Sequence, residues 1–250
     1  MSIFKSKYPF DYMDEYLEAI VRIDNYWLVR EKAAAFSKRN VNGGEKEKGD
    51  LDETGLRNHL VLFNIGGAYY HLDRLENEVL TDDLWYSRKC LQFPIWQELM
   101  SFYNNLFGAR EGLARLCYLV LNDRAEPKDL DSMTYRRIKS FFKKHERLYD
   151  FFNNIDRKIE LRHKFQHKYL SYLLIQDSRP KSYFFMPKDQ NLIQGDVLPP
   201  ERIDWGKGLE IMKESLSFIE DQINQVYYYL LNNKYIEKYL EGKGLMKTGR

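Results

Sequence analysis

The sequence predicts an all-α protein, a single domain over residues 1–250 built as a bundle of five to six long helices. In several long segments apolar residues recur three or four positions apart, which places them on one face of a helix. No segment alternates apolar and polar residues convincingly enough to predict a sheet. The composition, with 44% hydrophobic and 30% charged residues, is typical of an ordinary globular chain.

The first predicted helix begins after Pro9 and continues to about Phe36. Its apolar residues have 3-4-3-4 spacing and are Met13, Tyr16, Ile20, Ile23 and Trp27. Residues 37–53 contain three glycines, many charges and few apolar side chains. Such a segment cannot bury enough apolar surface to offset the entropy lost on ordering. We therefore predict a mobile loop over 37–53.

The second helix is predicted from about Thr54 to Leu80. Its Gly66-Gly67 pair lies within an apolar face, although each glycine weakens a helix by about 1 kcal/mol. We therefore expect another helix to approach closely there. A short helix before Pro94 and three long ones follow, and their predicted spans are 83–91, 95–121, 132–152 and 155–176.

A proline-rich segment, 177–204, separates these helices from the last one. It contains Pro180, Pro187, Pro199 and Pro200, and its short apolar runs YFF and LI can form at most a small hairpin. The last helix, Leu209 to Leu230, keeps 3-4 spacing for three heptads. This pattern is more typical of a bundle core, although an exposed seam would favour a dimer.

The sequence also limits the function classes. Acidic residues interrupt the first twenty positions, where a signal peptide needs an apolar core, and no stretch approaches the roughly 18 uncharged residues of a membrane span. We therefore expect a cytoplasmic protein that binds no membrane. Cys90 and Cys117 are too few for a disulfide framework or a thiolate metal site, so we predict that both are buried. No phosphate-binding glycine loop follows a predicted strand.

Positive charge is concentrated between Tyr135 and Lys168. This region contains eleven Arg or Lys and four acidic residues, in a chain of net charge +2. Four of the cations have 3-4-4 spacing and are predicted to share one helix face: Arg136, Lys139, Lys143 and Arg147. A basic stripe beside aromatic residues suits phosphate contacts and base stacking, so we interpret these four as nucleic-acid-binding residues. A solvated face of a bundle helix would have the same pattern.

A polar band interrupts the apolar arc of the next predicted helix. Its members are Arg162, His163, Gln166 and His167, with apolar residues in the turns before and after. Burying such a band requires hydrogen-bond partners, a partner chain or a ligand. We therefore select these residues as the candidate site.

At these residues the sequence resembles the HEPN superfamily, named for higher eukaryotes and prokaryotes nucleotide-binding. The signature of that family is Arg, four to six residues, then His, often with a polar residue directly after the Arg. Arg162 and His167 match it with four intervening residues, and His163 is the polar neighbour. Arg157 and His163 form a second match, on what is predicted to be the solvent face. The resemblance covers the motif and the overall class, and extends to bacterial HEPN-like proteins of unknown function.

The resemblance implies a helical bundle that dimerises to form a cleft, and in many members a metal-independent endoribonuclease. In that scheme an RNA 2′-hydroxyl attacks the adjacent phosphorus, His167 exchanges the proton and Arg162 stabilises the developing charge. His163 or Gln166 orients the reacting group. We expect no cofactor and no metal, and we expect a homodimer whose ligand is RNA or a nucleotide. Whether an antitoxin-like partner exists is an open question.

Two alternatives remain open from the sequence. The protein is a non-catalytic helical module that binds nucleotide, RNA or another protein, which is also part of what the resemblance implies. Alternatively, Glu160, His163 and His167 bind a metal, since they have ligand spacing on one helix. His145 is more typical of a core histidine than of a ligand, and His59 and His71 have no evident partner.

Overall fold

The structure, a computed structural model, describes residues 23, 45–79, 92–122, 125, 130, 132–163, 169–176, 179–187 and 201–242. Side chains are described within these ranges for 23, 58–77, 97–122, 125, 130, 132–159 and 208–239. Six α-helices lie here: α1 (Glu45–Arg74), α2 (Gln92–Leu121), α3 (Tyr135–Phe141), α4 (Glu146–His163), α5 (Trp205–Asn232) and α6 (Tyr235–Gly242). The predicted all-α bundle is confirmed.

Three further features connect these helices. A π-helical turn, Leu75–Val79, extends α1, and a 3-10 turn, Phe142–Lys144, separates α3 from α4. Strands β1 (Tyr169–Gln176), β2 (Arg179–Pro187) and β3 (Glu201–Asp204) lie between α4 and α5. Within the described ranges, no helix combines the length and the apolar character needed to cross a bilayer.

Helices α1 and α2 cross antiparallel at two glycines. A Cβ on Gly67 would lie 2.5 Å from Oδ1 of Asn105, and a Cβ on Gly108 would lie 2.4 Å from Oδ1 of Asn64. Each asparagine is held because its Nδ2 donates to the carbonyl four residues earlier in its own helix, at 2.7 Å for Asn64 and 2.9 Å for Asn105. The two contacts are reciprocal, and they confirm the close helix approach predicted from the glycine pair.

Helix α5 packs antiparallel to α1 and α4. Polar contacts mark its register, and the pairs are Tyr227 with Asn58 (2.7 Å), Tyr69 with Glu220 (2.7 Å), Asn154 with Gln222 (3.3 Å) and Lys158 with the Phe218 ring (5.2 Å). In each helix pair, a higher residue number on α5 meets a lower number on its neighbour. The four long helices therefore alternate in direction along the chain, as in an up-down-up-down bundle.

The apolar stripe of α5 lies at the centre of the core. Six of its seven predicted members are at most 2% exposed: Met212, Leu216, Ile219, Ile223, Val226 and Leu230. Leu209 is partly buried against the same cluster. The stripe is therefore bundle core. Ile23 is fully buried in this core too, whereas the rest of the predicted N-terminal helix lies outside the described residues.

Two helices begin earlier than predicted. Helix α1 begins at Glu45, so the prediction of a mobile loop is wrong over 45–53. This segment is rich in Glu and Lys, which have high helix propensity and can pair across one helical turn. Helix α2 begins at Gln92, and Pro94 lies in its first turn, where its missing N–H is not needed. Residues 37–44 and 80–91 lie outside the described residues.

The predictions of helices over 132–152 and 155–176 are wrong at two points. The chain turns at 142–145, because Phe142 points into the core and stacks on Phe152 with ring centres 5.0 Å apart. Helix α4 ends at His163, and residues 169–176 form β1 instead of helix. A short apolar run fits a strand as well as a buried helix, and pairing with β2 decides between them.

A small antiparallel sheet of order β1-β2-β3 precedes α5. Strand β2 contains the YFF run of the predicted hairpin, with Phe184 opposite Tyr172 of β1 and Tyr183 opposite Ile203 of β3. The predicted partner run, Leu192-Ile193, lies outside the described residues. Part of the predicted proline-rich loop over 177–204 is therefore strand.

The glycine crossing gives a test by double-mutant cycle. We expect Gly108→Ala to lower the free energy of unfolding by about 1 kcal/mol, because overpacking against Asn64 costs about 1–3 kcal/mol and outweighs the gain in helix propensity. In an Asn64→Ala background the same change should be stabilising, since the obstructing atoms are gone. Urea denaturation of the four proteins measures this. An equal effect of Gly108→Ala in both backgrounds would contradict the contact.

Candidate nucleic-acid interface

The candidate interface extends over α3, the turn that follows it and the first turn of α4, where five basic side chains are exposed. We name them the basic ridge: Arg136, Arg137, Lys143, Lys144 and Arg147. Glu146 is the one acidic residue in the sequence from 135 to 147. The ridge is therefore a concentrated positive surface on a short segment of chain.

The ridge differs from the basic face that the sequence predicted. That prediction placed Arg136, Lys139, Lys143 and Arg147 on one continuous helix face, and it is wrong because the 3-10 turn interrupts the helix between them. Lys139 is also half-buried and forms an ion pair with Asp156, so its charge is compensated. The other three predicted residues are exposed.

Local hydrogen bonds define the turn that carries the ridge. The hydroxyl of Thr134 caps α3 by accepting from the Arg137 N–H, at 3.4 Å. The His145 N–H donates to the Phe142 carbonyl at 2.7 Å, and the His145 carbonyl accepts from the Tyr149 N–H at 3.0 Å. His145 therefore joins the two helices, because its N–H closes the 3-10 turn after α3 and its carbonyl accepts from the first turn of α4.

One carboxylate, on Asp156 of α4, ties the turn to the bundle. It accepts from Arg110 Nη1 at 2.7 Å, from the Tyr135 hydroxyl at 3.1 Å and from Lys139 Nζ. Arg110 is on α2, whereas Tyr135 and Lys139 are on α3. The carboxylate therefore joins three helices and holds α3, with its part of the ridge, in one position.

Aromatic rings enclose the guanidinium of this cluster. Cζ of Arg110 lies 4.0 Å from the ring centre of Phe107 and 3.7 Å from that of Tyr135, and the Arg110 side chain is 8% exposed. Burial raises the pKa of the Tyr135 phenol far above its usual value. The phenol therefore stays protonated and donates to Asp156 at all physiological pH values. This cluster is suited to anchoring and leaves the exposed ridge to meet a ligand.

The structure describes the HEPN-like motif only in part. Arg162 and His163 are in the last turn of α4, and their side chains lie outside the described residues, as do Gln166 and His167. The predicted polar arc assumed one helix to Gln176. Because residues 169–176 form β1, that arc does not continue through Leu170 and Leu174.

The ridge and the motif are at opposite ends of α4. Arg147 is in its first turn and Arg162 in its last, and a rise of about 1.5 Å per residue separates them by about 22 Å along the axis. A stacked nucleic-acid strand advances about 3.4 Å per nucleotide. About six or seven nucleotides would span the two positions.

A polar cluster around His71, which the sequence analysis did not predict, joins α1 to α2. Nδ1 of His71 lies 2.6 Å from Oε2 of Glu98, and Nη1 of Arg74 lies 3.4 Å from Oε1 of the same carboxylate. The Glu98 side chain is 9% exposed. An acidic residue among the apolar positions of α2 was the available signal, since a buried carboxylate needs partners. This cluster is distant from the ridge, because Glu98 lies about 30 Å along α2 from Tyr118, which is near the ridge.

The described side chains include no group of three or more His, Cys, Asp or Glu that could bind a metal. The alternative ligand set of Glu160, His163 and His167 lies outside them. Cys117 is fully buried, and burial raises the pKa of its thiol far above the usual value. The prediction of a buried cysteine is confirmed there, whereas Cys90 lies outside the described residues.

The Asp156 anchor predicts a specific loss of stability. We expect Asp156→Ala to lower the free energy of unfolding by about 2 kcal/mol, less than for a fully buried pair because a quarter of the Asp156 side chain is exposed. Asp150→Ala, an exposed acid on the same helix, should change it by less than about 0.5 kcal/mol. Adding Arg110→Met should recover part of the loss by removing the uncompensated charge. Equal effects of the two aspartate variants in thermal or urea unfolding would contradict the anchor.

Comparison of this chain with protein-family models, with curated proteins and with solved structures finds no match.

Proposed function

We propose that this protein binds RNA through the basic ridge. One observation carries the proposal: five exposed cations and one exposed acid lie on α3, the turn after it and the first turn of α4, and the Asp156 cluster bonds α3 to α2 and α4. Exposed Arg and Lys gain affinity for a phosphate backbone by releasing its condensed counterions. Cations on a preformed surface lose less conformational freedom on binding than cations on a disordered tail.

RNA cleavage by a HEPN-like motif is the catalytic form of this proposal. It is favoured by the sequence Arg162-His163-Lys164-Phe165-Gln166-His167, which begins in the last turn of α4, the helix whose first turn carries Arg147 of the ridge. A bound strand that follows α4 would run from the ridge towards the motif. The protein would act as a cytoplasmic homodimer in which two motifs face one cleft.

The reaction needs no metal in this scheme. The 2′-oxygen forms a bond to phosphorus while the bond from phosphorus to the 5′-oxygen breaks, which leaves a 2′,3′-cyclic phosphate and a 5′-hydroxyl. His167 accepts the 2′-hydroxyl proton, and the departing 5′-oxygen takes up a proton from water. Arg162 stabilises the charge on the phosphoryl oxygens, and His163 orients the group.

Salt dependence tests the ridge. We expect Lys143→Ala/Arg147→Ala to weaken binding of a labelled single-stranded RNA and to reduce the slope of log affinity against log salt by about 1.4, since each lost phosphate contact removes about 0.7. Fluorescence anisotropy at several salt concentrations measures both quantities.

The control for this experiment is Arg157→Ala/Lys213→Ala. It removes the same charge from two exposed positions outside the ridge, so the salt slope should change by much less. If both double variants bind as wild type does, or lose the same amount, the ridge is not the RNA-binding surface.

Cleavage is tested with RNA and DNA of mixed sequence, in EDTA, followed by end-group analysis. We expect wild type to cut RNA only, leaving cyclic phosphate, and His167→Ala and Arg162→Ala to be at least about 100-fold slower. Arg157→Ala serves as the matched control. It should cut normally, because Arg157 is exposed and lies outside the preferred match of Arg162 with His167. Intact RNA that is nevertheless bound would support the non-catalytic RNA-binding module, and equal cutting by all variants would exclude the motif.

A further inference from the structure

A continuous row of aromatic rings lies beside the basic ridge. It consists of Tyr118, Phe141, His145, Tyr235 and Tyr229, and we call it the aromatic row. The successive ring centres are 4.9, 5.8, 6.1 and 5.7 Å apart. All five residues are half-buried. The sequence predicted His145 as a core histidine, whereas the structure places it in this row with part of its surface accessible.

A tight turn after α5 completes the row. Lys234 adopts φ of 55°, a left-handed conformation, and its N–H donates to the Leu231 carbonyl at 3.0 Å. The chain therefore changes direction within two residues and begins α6 at Tyr235. The Tyr235 ring contacts the rings of Tyr229 and His145. An extension of α5 by one more turn would instead have carried position 235 away from the ridge.

The charges around the row are mostly positive. In the two segments beside His145 and Tyr235, residues 142–150 and 234–238, the exposed cations are Lys143, Lys144, Arg147, Lys234 and Lys238. The acids of these segments are the exposed Glu146 and Asp150 and the half-buried Glu237. Lys144 Nζ lies 3.7 Å from the ring centre of Phe141, and Lys238 Nζ lies 5.6 Å from that of Tyr235. Cations thus border the rings on the α3–α4 turn and on α6.

Two polar rings of the row, His145 and Tyr229, are neutral near pH 7. Burial and the nearby Lys144 lower the pKa of His145. Burial, together with a hydrogen bond to Tyr235, raises the pKa of Tyr229 to about 12. His145 and Tyr229 therefore add no charge to the row, and the exposed lysines and arginines around it supply the charge.

We propose that the aromatic row is a base-stacking site, so that the RNA bound by the ridge is single-stranded and its bases contact Tyr235 and His145. This inference rests on the proposed RNA binding and adds its substrate class. A groove that binds single strands combines cations that follow the backbone with aromatic rings on which bases stack. Both components, the exposed lysines and the rings of His145 and Tyr235, are present on the turn after α3 and on α6. A duplex hides its base faces and would use the ridge alone.

Two probes of equal charge separate the row from the ridge. They are a labelled oligouridylate of about 15 nucleotides and an abasic oligoribonucleotide of the same length. We expect wild type to bind the oligouridylate at least about tenfold more tightly. Tyr235→Leu should abolish most of that preference without changing affinity for the abasic strand, and Tyr235→Phe should retain it, because the ring remains.

A photocrosslinking experiment on the wild-type protein does not depend on the stability of any variant. An oligouridylate containing 4-thiouridine should crosslink to the peptides that carry His145 and Tyr235. Equal affinity of wild type for the two probes, with ridge variants still impaired, would overturn the stacking site while leaving RNA binding intact. Failure of wild type to bind either probe would overturn both proposals.

Discussion

The carboxylate of Asp156 is the interaction on which the candidate interface depends. It accepts hydrogen bonds from Arg110 of α2 and from Tyr135 and Lys139 of α3, and it belongs to α4 itself. Three cationic or polar donors around one partly buried carboxylate stabilise each other only in this arrangement. Ile138 of α3 is fully buried and the Phe141 ring contacts Tyr118 of α2. The Asp156 cluster adds the polar contacts that fix α3, with its part of the ridge, against α2 and α4.

The close crossing of α1 and α2 gives the bundle its second constraint. Gly67 and Gly108 each receive an asparagine side chain from the opposite helix, and that asparagine is already bonded to its own backbone. A methyl group at either glycine would need space that the other helix occupies. With α1 and α2 fixed in this way, their buried apolar residues form one core with the stripe of α5.

The basic ridge and the start of the HEPN-like motif lie at different ends of the bundle. The ridge and the aromatic row are at the end where α4 begins and α5 turns into α6, and Arg162 is in the last turn of α4. The contacts of α5 with α4 and α1 place that last turn at the end of the bundle that also carries His71 and Glu98. Binding and chemistry would therefore be served by different ends of the same helix, and a single strand could connect them.

The sequence by itself determined the helical class, the core stripe of α5, the close approach at Gly67 and the concentration of positive charge, because each follows from local spacing and composition. Tertiary structure alone decided the turn at Phe142, the strand β1 in place of helix, the pairing of His71 with Glu98 and the loss of Lys139 to Asp156. Each of these depends on a partner far away along the chain, and helical periodicity carries no information about such partners. The aromatic row belongs to this second group, since its rings come from four separate parts of the fold.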